Sequence, residues 1–172
     1  IAADYRAGSF TPAEAAIADD IFRLLLKDVE KQVRATLSEQ LSTSPDVPHD
    51  IIVKLAHDEA DVAIHVLEHS SVLTEDDLLG IINSTKEVIK LCAIARRDTV
   101  NENVSNRLMS TKHTSVFKEL FKNKGASLSE KGLMDAWQQI AQDDTLLEAL
   151  VHRGGLPLTV AEKLYFAVTE EM

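Results

Sequence analysis

The feature that most constrains the fold is a helix-start phrase that occurs five times at nearly constant spacing. Successive copies begin 26, 27, 28 and 30 residues apart. They read Val47-Pro48-His49-Asp50, Leu73-Thr74-Glu75-Asp76, Val100-Asn101-Glu102-Asn103, Leu128-Ser129-Glu130-Lys131 and Leu158-Thr159-Val160-Ala161. In the last four copies, an apolar staple residue precedes a Thr, Asn or Ser that is suited to the N-cap. The first copy has Pro48 instead, which favours the first turn of a helix and not its cap.

A shorter helical segment precedes each copy of the phrase. These segments open at Val33, Val62, Ile89, Val116 and Leu146. Four and five residues later come Leu37-Ser38, Val66-Leu67, Ala93-Ile94, Leu120-Phe121 and Leu150-Val151, which are apolar except for Ser38. Eight and nine residues beyond each staple stand Leu55-Ala56, Ile81-Ile82, Leu108-Met109, Ala136-Trp137 and Phe166-Ala167. Each unit is therefore predicted to be two short antiparallel helices, whose apolar stripes are buried by stacking on neighbouring units.

An additional helix is predicted before the repeats. Thr11, Pro12 and Glu14 occupy the N-cap, N1 and N3 positions of a capping box, so the helix should run from Pro12 to about Lys27. Its apolar residues follow at three- and four-residue steps: Ile17, Ile21, Leu24, Leu25 and Val29.

The predicted fold is thus all-α. We expect one domain over residues 1–172, with an N-terminal capping helix in residues 10–30 and repeats in residues 31–172. The repeats should form an α-solenoid of about five short HEAT-like helical hairpins, because their period is shorter than that of common helical repeats.

Composition limits the classes of partner and the cellular location that we expect. The 172 residues have a formal net charge of −10, which opposes binding to phosphate backbones. A single cysteine, Cys92, excludes an intramolecular disulfide and is compatible with the cytoplasm. No apolar run approaches the 18 residues of a membrane span. The chain begins with Ile1 and not with Met, so we expect it to be part of a longer protein.

Three strings resemble a bacterial family catalogued as domain of unknown function 2336. They are Val66-Leu67-Glu68-His69-Ser70-Ser71-Val72-Leu73-Thr74, Ala93-Ile94-Ala95-Arg96-Arg97 and Phe10-Thr11-Pro12-Ala13-Glu14. The similarity extends from about Phe10 to beyond Leu128 and weakens after that. It implies a HEAT-like all-α fold in a cytoplasmic bacterial protein. It implies no activity and no catalytic or binding residues.

The sharpest chemical motif is His65-Val66-Leu67-Glu68-His69, which matches the H-x-x-E-H pattern of inverted zinc peptidases. Two histidines at this spacing share a helix face and can bind one zinc ion. A zinc-dependent hydrolase would use Glu68 as its general base and would need a third ligand. The positions of His65 and His69 in the other repeats suggest a variable, outward-facing ridge. There they are occupied by Thr36 and Gln40, Cys92 and Arg96, and Glu119 and Asn123.

Two basic groups are candidates for binding sites. Arg96-Arg97-Asp98 follows a short helix, where cations complement the helix dipole, and is the preferred basic spot for an anionic ligand. Lys118, Lys122 and Lys124 form a local cluster whose neighbouring aromatic residues, Phe117 and Phe121, are assigned to the core. A nucleic-acid platform would instead need exposed aromatic residues.

The remaining residues of interest are interpreted as structural. Cys92 lies in an apolar segment and is expected to be an inert thiol. Trp137 falls on a repeat core position. Gly125 and Gly154-Gly155 follow short helices and are predicted to be C-terminal caps.

The function predicted from these observations is a non-enzymatic protein–protein interaction or scaffold module. The acidic balance favours a protein partner with basic patches. A nucleic-acid-binding HEAT-like domain is the first alternative, and the zinc-dependent hydrolase of His65, Glu68 and His69 is the second. No catalytic, cofactor-binding or metal-binding residue is assigned, no cofactor is expected, and the oligomeric state is left open.

Overall fold

The computed structural model describes residues 2–6, 10–28 and 30–169, and these residues are all-α. Their secondary structure comprises twelve helices and no strand, apart from one isolated bridge between Val100 and Ala126. The helices are α1 (Ala2–Arg6), α2 (Pro12–Asp28), α3 (Lys31–Leu41), α4 (His49–Ala56), α5 (Ala60–His69), α6 (Glu75–Ser84), α7 (Val88–Ala95), α8 (Glu102–Met109), α9 (Thr114–Lys122), α10 (Glu130–Ile140), α11 (Asp144–Arg153) and α12 (Leu158–Thr169). The chain divides into two compact units, Ile1–Ala93 and Ile94–Met172.

Helix α2 begins with the predicted capping box. The Glu14 carboxylate accepts from the Thr11 amide at 2.8 Å, and the Glu14 amide donates to the Thr11 hydroxyl. The stripe predicted for this helix is wrong in part, because Ile17 and Leu24 are 62% and 65% exposed. The buried face carries Phe22 instead, which is packed edge-on by Tyr5 of α1.

Helix α1 is a short element that the sequence pattern does not predict. Its Tyr5 also contacts the ring of Phe10 and donates a hydrogen bond to the carbonyl of Asp46. The predicted stripe residue Val29 lies outside the described residues.

Three of the predicted N-caps are confirmed. Thr74 closes a complete capping box with Asp77, while Asn101 and Ser129 each accept a hydrogen bond from a backbone amide of the first turn. The staple residues that precede these caps differ in burial: Leu73 and Val100 are buried, and Leu128 is half-buried.

The predicted N-terminal residues are wrong at the first and last of the five helix starts. Pro48 occupies the N-cap position of α4, where its carbonyl accepts from the amides of Ile51 and Ile52. Leu158 is already the first residue of α12 and is 75% exposed, so it is not a staple. Thr159 is inside the helix, because the carbonyl of the preceding Pro157 accepts the first helical hydrogen bonds.

The stripe of the short helices is confirmed at its central position. All five residues that lie four after the opening are buried: Leu37, Val66, Ala93, Leu120 and Leu150. Two opening residues, Val33 and Ile89, are instead 43% and 50% exposed. The basic residue that follows each of them points inward, as the contacts of Arg34 and Lys90 show.

The last hairpin departs most from the predicted stripes. Val151 of α11 and Phe166 of α12 are 53% and 60% exposed, and Trp137 of α10 is half-buried. Among the described residues, no further hairpin follows α12 to pack against Val151 and Phe166.

In residues 1–93, α3 packs on α5, α2 packs on α4, and both α3 and α5 contact α4. Polar side chains link successive hairpins. The Arg34 guanidinium binds the Asp58 carboxylate through two hydrogen bonds of 2.6 and 2.9 Å. Lys90 is 6% exposed and donates to the Asp58 carbonyl at 2.5 Å, with the Glu87 carboxylate 2.9 Å away. Asp58 is therefore the polar junction of this unit.

In residues 94–172, the short helix α9 packs on α11, and α10 contacts both α8 and α12. The bridge between Val100 and Ala126 holds the loop before α8 against the loop after α9. The Val100 amide donates to the Gly125 carbonyl at 3.1 Å, and the Ser127 amide donates to the Val100 carbonyl at 2.8 Å.

Candidate interaction site

The residues of the predicted zinc motif lie together on α5 but do not form a complete metal site. His65 and Glu68 are half-buried and His69 is exposed. His69 Nε2 lies 4.0 Å from Glu68 Oε1, which is too far for a hydrogen bond between these two atoms. Among residues 2–6, 10–28 and 30–169, no three His, Cys, Asp or Glu side chains are placed to share a metal ion.

The ridge on which these histidines lie is not uniformly outward-facing. Cys92 is buried, and Asn123 is half-buried with its side-chain amide engaged. The Asn123 amide nitrogen donates to the carbonyls of Ala95 and Arg97, at 2.8 and 2.7 Å, at the end of α7 and just beyond it.

Arg153 repeats this arrangement one hairpin later. Its guanidinium donates to the carbonyls of Leu120 at 2.9 Å, Phe121 at 3.2 Å and Asn123 at 2.6 Å, and also to that of Ala126. The last carbonyls of a helix have no partner inside the helix, so Arg153 satisfies the C-terminus of α9. Burial lowers the pKa of the Arg153 guanidinium, and the negative end of the helix dipole favours its charge.

The acidity of the chain is concentrated in one half. Residues 1–93 contain 8 Lys and Arg against 17 Asp and Glu, a formal charge of −9. Residues 94–172 contain 10 against 11, a formal charge of −1. The second unit can therefore present a basic surface that the net charge of the whole chain conceals.

Such a surface surrounds a groove of about 470 Å³ between α9 and α11, which we call the basic groove. One wall carries Lys118 and Lys122, one helical turn apart on α9, with Lys124 just beyond the end of that helix. The other wall is a single face of α11. Four α11 residues at helical spacing form it: Thr145, Glu148, Ala149 and His152. Phe121 and Arg153 complete the lining.

The charges in the basic groove are only partly balanced. Lys122 and Lys124 are exposed and form no salt bridge with any carboxylate in the described part of the chain. Glu148 is the only acidic residue in the lining, and its carboxylate lies 3.8 Å from His152 Nε2. Asp143 stands beside the wall: the hydrogen bond from Thr145 lowers the pKa of Asp143, and the charge of Lys118 lowers it further.

The other predicted positions have structural roles or lie outside the groove. Arg96 is exposed, and Arg97 is half-buried with its pKa lowered by burial. Gly154 is the C-cap of α11 with a positive φ of 69°, as predicted for a glycine cap. Gly125 is not a helix cap. A side chain there would place its Cβ only 1.9 Å from the Asp98 carbonyl oxygen, so glycine is needed for close packing.

The sequence pattern identifies the lysines of the basic groove but not their partner wall. Phe117 and Phe121 are buried as predicted, which leaves the lysines without an exposed aromatic neighbour on α9. The face of α11 opposite them follows a spacing of three and four residues, from Thr145 to His152. That spacing is present in the sequence, but only the packing of α9 against α11 shows that these residues face the lysines.

The fold and the groove define an all-helical protein made of short helices that pack in pairs. Among the residues described, no helix combines the length and apolarity needed to cross a bilayer. The chain belongs to a bacterial family described as "Uncharacterised protein conserved in bacteria (DUF2336)", whose model matches residues 62–172. Comparison with curated proteins gave no match, and comparison with solved structures gave none either.

The predicted family is confirmed, but the extent of the similarity differs from the prediction. The match begins at residue 62, so the Phe10–Glu14 string lies outside it, and it continues to residue 172. The whole basic groove, from Lys118 to Arg153, falls inside the matched segment.

Proposed function

We propose that this protein is a non-enzymatic interaction or scaffold module built as an α-solenoid of HEAT-like hairpins. Support for the repeat comes from the packing of short helix on short helix, α3 on α5 and α9 on α11, and from the contacts of α10 with α8 and α12. The recurrence of the C-terminal carbonyl contacts at Asn123 and Arg153, 30 residues apart, also supports it.

The observation that carries the interaction role is the basic groove. It is open, it lies on two firmly packed helices, and two of its lysines form no ion pair with a described carboxylate. Charged side chains that have no partner inside a protein are available to one outside it, and grooves on helical repeats commonly hold a protein segment. A cytoplasmic location is part of the proposal and is consistent with the single, unbridged Cys92.

Nucleic-acid binding is the weaker alternative. The three groove lysines favour an anion, but the aromatic residues of α9 are buried and cannot stack with bases. We therefore propose a protein partner.

Site-directed photo-crosslinking tests the proposed function. A photoreactive amino acid is placed at the exposed position Lys122 on the groove rim and, as a control, at exposed Lys54 in the first unit. We expect one protein to be captured at position 122 and not at 54, and to form a complex of defined stoichiometry when both proteins are purified. Capture that is equal at both positions, or a captured protein that fails to bind when purified, would reject the interaction role of this groove.

A further inference from the structure

We infer that the partner segment bound in the basic groove is acidic, with a small apolar side chain between its carboxylates. This inference rests on the proposed function and specifies the partner. It reverses, for this surface, the expectation that the net charge of −10 selects a basic partner. The reversal follows from the distribution of charge, because the unit that contains the groove has a formal charge of only −1.

The geometry of the rim sets the spacing of the carboxylates. Lys118 and Lys122 are four residues apart on α9, so their ammonium groups follow one edge of the groove, and Lys124 extends that edge past the helix end. Neighbours at this helical spacing have Cβ atoms about 5–6 Å apart. Carboxylates on a short peptide can match that separation.

The apolar part of the lining sets the apolar requirement. Phe121 is only 1% exposed and offers a ligand almost no surface, whereas Ala149 is half-buried and offers a small apolar one. The methylene stems of the lysines add to it, as long cationic side chains commonly do. An Ala, Val or Leu flanked by Glu or Asp would contact Ala149 and these stems while its carboxylates meet the lysines.

The lysines of the groove dominate the local potential of a bound segment at physiological salt. Charges are screened over about 8 Å at an ionic strength of about 0.15 M, so the groups that contact the segment contribute most to it. The lining contains four Lys and Arg against the single carboxylate of Glu148, while Asp143 beside the wall offsets part of the charge of Lys118. Because Arg153 is occupied by backbone carbonyls, the lysines supply the contacts to the ligand.

The probe for the test is a short fluorescein-labelled peptide with a central Leu flanked by glutamates. Its comparison peptide has glutamine in place of each glutamate. The protein variants are Lys122→Gln combined with Lys124→Gln, and the control Lys54→Gln combined with Lys86→Gln, which changes the net charge equally at exposed positions of the first unit. Circular dichroism confirms that each variant retains its helices, and fluorescence anisotropy reports binding.

We expect the glutamate peptide to bind the groove variant about three- to tenfold more weakly than the parent protein, because two exposed ion pairs of modest strength are lost. The control variant should bind within about twofold of the parent. The glutamine peptide should bind more weakly than the glutamate peptide, and a rise in salt should reduce this difference.

The inference is overturned if the glutamate peptide shows no saturable binding, or if the groove variant and the control variant lose affinity equally. Tighter, groove-dependent binding of a single-stranded oligonucleotide than of the peptide would also overturn it, in favour of a nucleic-acid ligand. If crosslinking at position 122 captures a partner that binds the groove variant as well as the parent, the acidic-segment inference fails while the interaction role stands. If crosslinking captures no specific partner, the proposed function itself fails.

Discussion

Removing the Arg153 guanidinium should destabilise the fold much more than removing an exposed arginine. In the variant Arg153→Met, a side chain of similar length remains, but the hydrogen bonds to the carbonyls of Leu120, Phe121, Asn123 and Ala126 are lost. Hydrogen bonds to a charged group contribute about 1.5–3 kcal/mol, and each carbonyl left without a partner in a half-buried site adds a cost. Because one guanidinium makes all four contacts, these terms do not add fully, and we expect a loss of about 3 kcal/mol.

Urea denaturation followed by circular dichroism measures this loss as a lower midpoint at an unchanged slope. The melting temperature should fall by about 6–12 °C, at about 2–4 °C per kcal/mol for a chain of this length. Arg153→Lys should lose an intermediate amount, because an ammonium group cannot reproduce the fork of the guanidinium. The control is Arg107→Met on the exposed surface of α8, which we expect to change stability by no more than about 0.5 kcal/mol. Equal losses for Arg153→Met and Arg107→Met would refute the role assigned to Arg153.

Further predictions concern acid stability, backbone packing and a helix cap. The hydrogen bond from Arg34 lowers the pKa of Asp58. The ionised Asp58 therefore contributes its full stabilisation above the unfolded pKa of about 3.9, and this contribution is lost as the pH falls through the lower folded pKa. The variant Asp58→Asn should make urea midpoints less dependent on pH below about 4. Gly125→Ala should cost about 1–3 kcal/mol because of the Asp98 carbonyl, whereas Gly80→Ala, with nothing within 4 Å of its Cβ, should stabilise α6 by up to about 1 kcal/mol; opposite signs in thermal melts are the check. Thr74→Ala removes a capping-box hydroxyl and should lower the unfolding free energy by about 1 kcal/mol, and a change near zero would contradict that role.

The periodicity of apolar residues predicts the helices well, because the residues that each helix buries recur every three or four positions within one short segment. The staple-and-cap phrase locates the starts of α6, α8 and α10, where Thr74, Asn101 and Ser129 cap the new helix. It fails at α12 because Pro157 opens that helix without a side-chain cap, two residues before the expected N-cap Thr159.

Contacts between distant residues cannot be predicted in the same way. Asn123 falls on a ridge predicted to be variable, and no role is predicted for Arg153, because their partners are backbone carbonyls 26 to 33 residues earlier. Every residue has a backbone carbonyl, so the sequence does not show which carbonyls lack a hydrogen-bond donor. That is seen only when the helices are placed in space.

The basic groove illustrates the same limit for function. The charge of −10 describes the whole chain, and it favours a basic partner. The division of the chain after Ala93 shows that the carboxylates are concentrated before it, while the lysines of α9 stand in a nearly neutral segment. A net charge indicates the partner of a surface only where charge is evenly distributed.

This uneven distribution of charge has a consequence for how the two halves of the chain respond to ions. A segment with a formal charge of −9 within 93 residues repels itself, and that repulsion opposes its compact state. Raising the ionic strength from about 0.01 to 0.15 M shortens the screening length from about 30 to 8 Å and relieves the repulsion. Amide hydrogen exchange in residues 30–93 should therefore slow with added salt, while exchange in residues 94–169 should change little. The stability of the first unit would then depend on the ionic strength of its surroundings, whereas that of the second unit would change little.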